Sequence, residues 1–196
     1  MNIKKQVLDE LENTKFPRCS SRRNVSDKPI DAFVLGSVNY RGQKSVGGKT
    51  KGPSRYNEKF PKLYRLIKAL IKEHNSSFPY TTIQVNKNVV SKPHVDKNNV
   101  GPSYVIALGD FEGGNLVIKG KEYNIKNKWK KFDGTQGHWI TPFEGTRYSL
   151  VFFTHTFKPP CPSLRNVKVT TRGLYKNDVL IEKYKNYSEF LLNRPK

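Results

Sequence analysis

A mostly β fold with flanking helices is the class this sequence predicts, and three observations predict it. Between residues 80 and 154, short β-type runs follow one another, split by turn residues. Ahead of them, two stretches repeat apolar side chains at helical spacing. At 35 % hydrophobic and 12 % aromatic, the 196 residues also hold enough apolar surface for a real core. The expectation is one domain over 1–196, with a helical, basic N-terminal part (1–77). A β core of sandwich or jelly-roll type (78–157) and a basic C-terminal extension (158–196) follow.

The first helix is expected over residues 2–13, where Ile3, Val7, Leu8 and Leu11 form one stripe. An irregular basic stretch runs from Phe16 to Pro29. The second helix starts near Pro61, places Leu63, Leu66, Ile67, Leu70 and Ile71 on one face, and ends near His74-Asn75. Between them, residues 41–55 hold five cations, no acid and four glycines, which predicts a loop. Its Gly-Lys-Thr at 48–50 lacks the strand and upstream glycine of a phosphate-binding loop. The predicted strands are Thr81–Val85, Tyr104–Leu108, Asn115–Ile118, Glu122–Ile125, Trp139–Thr141 and Tyr148–Thr154. Gly113-Gly114 reads as a hairpin signal between two of them. A helix near 178–192 is expected to close the chain.

Cysteine usage narrows the chemistry. Cys19 and Cys161 are isolated, which excludes a disulfide framework and a CxxC zinc module, so a metal site must use histidine and carboxylate. No apolar run approaches bilayer length, and MNIKKQVLDELENTK lacks a secretory core. Asp9, Glu10 and Glu12 do not suit a mitochondrial presequence. The expectation is an intracellular monomer without a membrane partner, nuclear or virus-associated if its source is eukaryotic or viral. The 36 Lys+Arg against 16 Asp+Glu, a formal +20, point to a polyanionic partner, with compositional bias as the plain alternative.

Four histidines make the search for ligands short. In a strand, residues i and i+2 share a face, so His94-Val-Asp96 can converge on one ion. Two imidazoles and one carboxylate on one face are the ligand set of non-haem Fe(II) oxygenases. His74 ends a helix before the β core and His155 lies at the far end of a strand, so His138 is the natural third ligand. Arg147, nine residues on, begins an apolar strand. Buried there, its fork of donors suits a carboxylate, here the distal one of 2-oxoglutarate. A surface arginine on an edge strand is the other reading.

These motifs carry a resemblance. His94-Val-Asp-Lys-Asn-Asn-Val-Gly-Pro-Ser, Leu108-Gly-Asp-Phe-Glu-Gly-Gly-Asn-Leu and His138-Trp-Ile-Thr-Pro-Phe-Glu-Gly-Thr-Arg-Tyr-Ser-Leu-Val resemble the 2-oxoglutarate/Fe(II) dioxygenase superfamily. Over residues 78–155 the chain is most similar to small viral, protist and algal members related to the TET/JBP nucleobase oxygenases. The resemblance implies a double-stranded β-helix (jelly roll, cupin-like) packed by the N-terminal helices. It implies Fe(II) on His94, Asp96 and His138, 2-oxoglutarate on Arg147, dioxygen as oxidant and ascorbate as a candidate reductant. Arg147, where prolyl-hydroxylase-like relatives place lysine, favours a nucleobase substrate. Asn86 matches a polar residue that touches the co-substrate in AlkB-like enzymes, although Asn88 replaces the aromatic beside it.

The implied activity is hydroxylation of the methyl of 5-methylcytosine or thymine in DNA. The alternatives are AlkB-like demethylation of DNA or RNA, and hydroxylation of a protein residue. Chemistry would rest on the iron ligands alone, with no further catalytic side chain. Three basic segments, 41–55, 119–131 and 165–176, are candidates for a phosphate track. Their named members are Arg41, Lys44, Lys49, Lys51, Arg55, Lys126, Lys128, Lys130 and Arg172. Tyr40, Tyr56, Phe78, Tyr80 and Trp139 are aromatics that could stack on a flipped base.

Overall fold

The computed structural model describes residues 2–39, 51–155, 167–170, 173–176 and 179–183. It divides into two compact units, Met1–Val38 with Gly52–Thr156, and Asn39–Lys51 with Phe157–Lys196. Three helices are described: α1 (Ile3–Glu12), α2 (Arg55–Lys59) and α3 (Pro61–His74). The strands, in chain order, are β1 (Arg18–Cys19), β2 (Ile30–Asn39), β3 (Lys51–Pro53), β4 (Thr82–Lys87), β5 (Asn99–Leu108), β6 (Phe111–Gly113), β7 (Leu116–Ile118), β8 (Lys121–Tyr123), β9 (Lys130–Phe132), β10 (His138–Ile140), β11 (Phe143–Gly145), β12 (Tyr148–His155), β13 (Val167–Thr170), β14 (Gly173–Lys176) and β15 (Val179–Lys183).

The larger unit is built on one sheet of order β1-β2-β4-β12-β5-β9, with β3 beside β2. Pairing along the path is antiparallel throughout. Alternation on its strands sorts side chains onto two faces. Phe33, Leu35, Ile83, Val85, Ile106, Leu108, Tyr148, Leu150 and Phe152 form one core with Val7 and Leu11 of α1 and Leu63, Ile67, Leu70 and Ile71 of α3. Both expected helices therefore form: Val7, Leu11, Leu63, Ile67, Leu70 and Ile71 of the predicted stripes are buried, and Ile3, Leu8 and Leu66 pack partly buried against the same core. Asn2 caps α1 by accepting from the Lys4 amide at 2.9 Å, and Pro61 sits in the first turn of α3.

On the opposite face, Val105 and Ala107 join Phe111, Leu116, Ile125 and Phe132 in a second core. Small sheets β10-β7-β8 and β11-β6 supply its other wall. Since both faces of the large sheet are covered, β4 is buried at five consecutive positions. The same double burial hid β2 from a reading based on alternation.

Two expectations are corrected. Gly113-Gly114 does not close a hairpin: β6 pairs with β11, while β7 pairs with β10. Both glycines have positive φ, 80° and 62°, and turn the chain from one small sheet to the other. In the smaller unit, β13, β14 and β15 form an antiparallel sheet, so residues 179–183 of the expected closing helix are strand. Val-Leu-Ile-Glu-Lys satisfies either periodicity over so short a window. The rest of that expected helix lies outside the described residues.

Candidate metal centre

The β4–β5 connection brings His94 against the start of β10, where His94 and His138 form an isolated antiparallel bridge. Each donates its amide to the other's carbonyl at 3.0 Å. Asp96 follows in a turn, held by its amide on the Gly134 carbonyl at 2.8 Å. The pair is thus carried by a bridge and a turn rather than by a full strand. Among the described residues, His94, Asp96 and His138 are the group able to hold a metal, their ligand atoms within 4.8 Å of one another.

The imidazole tautomers follow from hydrogen bonding. His94 Nδ1 lies 2.8 Å from the Lys92 carbonyl, and His138 Nδ1 lies 2.8 Å from the Gln136 carbonyl. A carbonyl only accepts, so each Nδ1 carries a proton, and in the neutral ring each Nε2 then presents a lone pair. Those lone pairs face the Asp96 carboxylate at 4.0 and 3.8 Å. Three electron-rich atoms facing one another with no proton between them fit a cation. Burial pushes the His94 pKa down, opposed by its bond to the Lys92 carbonyl, and this favours the neutral form a metal requires.

The triad lies in a cavity of about 250 Å³. Its floor is the second face of the large sheet: Ser149, Val151, Phe153 and His155 of β12, with Gln84 and Asn86 of β4 alongside. Arg147 enters at the Ser149 end. It is 1 % exposed, and its Nε and Nη2 have no hydrogen-bond partner. Burial pushes its pKa down to about 10, so it remains charged at neutral pH. Its guanidinium carbon stands 5.5 Å from the ring centroids of both Phe111 and Phe143. A Cβ on Gly114 would come within 2.8 Å of Arg147 Nε, so this glycine makes the guanidinium's room. Asn88, in the left-handed region at φ 52°, exchanges two 2.8 Å bonds with the Arg147 backbone and fixes where the side chain starts.

Asn86 lies in the same cavity, accepting from Gln84 Nε2 and donating to Ser149 Oγ, both at 3.0 Å. The five residues expected at the metal and co-substrate positions are therefore brought together.

The basic residues fare differently. Arg41, Lys44, Lys49 and Arg172 lie outside the described residues, and Lys51 is described only as part of β3. Arg55 opens α2 and stacks over Tyr56. Lys126 donates to the Phe111 carbonyl at 2.6 Å and faces Asp110 at 3.8 Å. Lys128 is exposed, and Lys130 Nζ sits 3.5 Å from the Tyr123 ring centroid. Arg55, Lys126, Lys128 and Lys130 do not line the cavity. Among the aromatics, Tyr56, Phe78 and Tyr80 pack in or against the helix-side core, Trp139 pairs across from Val117, and Tyr40 is outside the described residues.

Several cavity residues were missed. Ser149, Phe153 and His155 follow Arg147 at the strand period, a signal present in the sequence. Arg22 comes from the irregular stretch, and no periodicity marks it. Its Nη2 is 3.8 Å from Asp96 Oδ1, and burial lowers its pKa against the opposing pull of Asp96.

No family model and no curated protein matches the chain. Among solved structures, NgTET1 in complex with 5mC DNA is similar at 16 % identity, covering 79 % of this chain and 68 % of that one, with a TM-score of 0.49. A 2OG-Fe(II) oxygenase family oxidoreductase from Burkholderia pseudomallei is similar at 16 % identity, covering 76 % of each chain, also with a TM-score of 0.49. Likeness at this level leaves the function to the chemistry of the site.

Proposed function

We propose that this chain is a non-haem Fe(II), 2-oxoglutarate-dependent dioxygenase that hydroxylates a nucleobase, the methyl of 5-methylcytosine or thymine in DNA. Its two facing walls read as a double-stranded β-helix. One observation carries the assignment: a buried, charged arginine with two unpartnered nitrogens shares a cavity with a His/Asp/His cluster. An unpaired buried cation is costly, and a carboxylate accepting both bonds removes that cost. Iron bound on His94, Asp96 and His138 would supply oxidative decarboxylation of the co-substrate coupled to oxygen insertion into C–H. The chain's own part is positional. Arg147 grips the distal carboxylate, Ser149 and Asn86 offer polar contacts beside it, and Val105, Val151 and Leu116 keep water away.

The nucleobase reading rests on the length and lining of the floor. From Ser149 to His155 the strand runs roughly 20 Å at about 3.3 Å per residue, more than a short dicarboxylate occupies. Beyond Val151 the cavity is lined by Phe153, His155 and Asn99. An aromatic face with nearby imidazole and amide groups suits a planar heterocycle with polar edges. The net charge of +20 suits the polyanion that carries it.

The test is turnover of anaerobically reconstituted protein on methylated DNA, unmodified DNA, RNA and basic peptides, read by mass spectrometry. Oxygen gain on methylated DNA is expected, and it should vanish in His94→Ala and Asp96→Ala. Gain confined to peptides would refute the nucleobase assignment, and alkyl loss from DNA or RNA would mark a demethylase.

A further inference from the structure

The wall beside the metal cluster carries a feature that the catalytic reading does not use. Val89, Ser91, His94 and Asp96 line the cavity, while their neighbours Val90, Lys92, Val95 and Lys97 are exposed. Val90 and Val95, 46 % and 36 % exposed, are the large hydrophobic side chains left in solvent among the described residues. A turn from the N-terminal stretch is stapled alongside. The Arg22 carbonyl accepts from Val25 and Ser26 at 3.0 and 3.1 Å, and the Val25 carbonyl accepts from Lys92 at 2.9 Å. Lys92 Nζ also meets Asp27 at 2.6 Å. Arg22 and Val25 line the cavity from this side, and Arg23 is exposed.

We propose that this lip, residues 22–28 with 89–97, is where a nucleic-acid strand docks: Arg23, Lys28 and Lys97 meet phosphates, and Val90 and Val95 press into the base stack. The proposal rests on the nucleobase reading above and names the surface that serves it. Charge argues for this occupant. The two segments hold Arg22, Arg23, Lys28, Lys92 and Lys97 against Asp27 and Asp96. Asp27 is engaged by Lys92, and Asp96 faces the metal position. The remaining field at the lip is positive and attracts phosphates. Two aliphatic side chains within a cationic patch match the wedges by which proteins unstack a base step, and a base must leave its stack to enter a cavity. Lys126 and Lys130, by contrast, are engaged within the fold.

The experiment is fluorescence anisotropy of the full chain with a labelled 5-methylcytosine duplex across a salt series, with melting temperatures as the folding control. Arg23→Glu with Lys97→Glu should weaken binding at least about tenfold and flatten the salt dependence, since each phosphate contact contributes a slope of about 0.9. Val90→Ser with Val95→Ser should keep that slope yet lower the fluorescence gain of a 2-aminopurine beside the target base. Lys128→Glu with Lys131→Glu should change affinity less than about threefold. The lip is refuted if wild-type protein binds and oxidises DNA while Arg23→Glu with Lys97→Glu binds as it does, if the valine variant leaves the 2-aminopurine gain unchanged, or if the Lys128/Lys131 pair carries the loss. If wild-type protein binds no oligonucleotide and oxidises only peptide, the nucleobase reading falls as well.

Discussion

Arg147 holds its charge almost wholly out of water, with Gly114 clearing the space around it and Asn88 anchoring its backbone. A bidentate carboxylate would complete the Nε and Nη2 valences. Hydrogen bonds to charged groups are worth about 1.5–3 kcal/mol each. Arg147→Gln should therefore raise the 2-oxoglutarate dissociation constant at least about 100-fold. Arg147→Lys should fall between, because an ammonium keeps the charge but not the fork. Titration calorimetry on metal-loaded protein measures both, and a change under threefold for Arg147→Gln would reject the carboxylate role. The burial of Arg147 was legible because an arginine opening an apolar strand is anomalous. Gly114 and Asn88 were not, since one acts by lacking a side chain and the other through backbone bonds. Arg22 was hidden for a third reason: its neighbours in sequence carry no pattern, and only the fold puts it beside Asp96.

At the level of elements, α1 and α3 were readable because each buries a single stripe. β12 was readable as a strand, yet its division of labour was not. Tyr148, Leu150 and Phe152 face the helices, while Ser149, Val151 and Phe153 face the cavity, and the strand reads as one apolar run. The HxD spacing was recognised for a strand geometry that the chain does not use. The three side chains still converge because the bridge to His138 and the Gly134 carbonyl fix the segment. Removing atoms from the two faces should have unequal effects. Leu70, 2 % exposed in the close-packed core between α3 and the sheet, should cost about 2–5 kcal/mol when changed to Ala. Val151→Ala should cost distinctly less, because it enlarges a wall already bordering open space. Denaturant unfolding of the two variants makes the comparison, and equal losses would contradict the assignment of faces.

For the molecule as a whole, the buried His94 ties stability to pH. Burial holds the His94 pKa below the ordinary imidazole value of 6.5, so the unfolded chain binds its proton more readily than the folded one. The sign follows: this contribution is fully present above pH 6.5 and is lost as pH falls through the lower folded value. The window is separate from that of Asp27 and Asp133, whose pKa values lie below the ordinary 3.8. Metal-free protein should thus unfold at a constant urea midpoint from pH 8 to 7, then lose up to about 1.4 kcal/mol per pH unit below 6.5 from this group. Metal-loaded protein should fall more steeply over the same interval, because protons also compete with the bound ion. His94→Gln should reduce the metal-free limb to the share left by His74, whose pKa burial also lowers, while leaving the acid limb below pH 4 in place. Urea midpoints at pH 8, 7, 6 and 5, with and without Mn(II), separate these outcomes. A limb unchanged in His94→Gln would mean that another group carries the titration and that the imidazole is not held neutral by the fold.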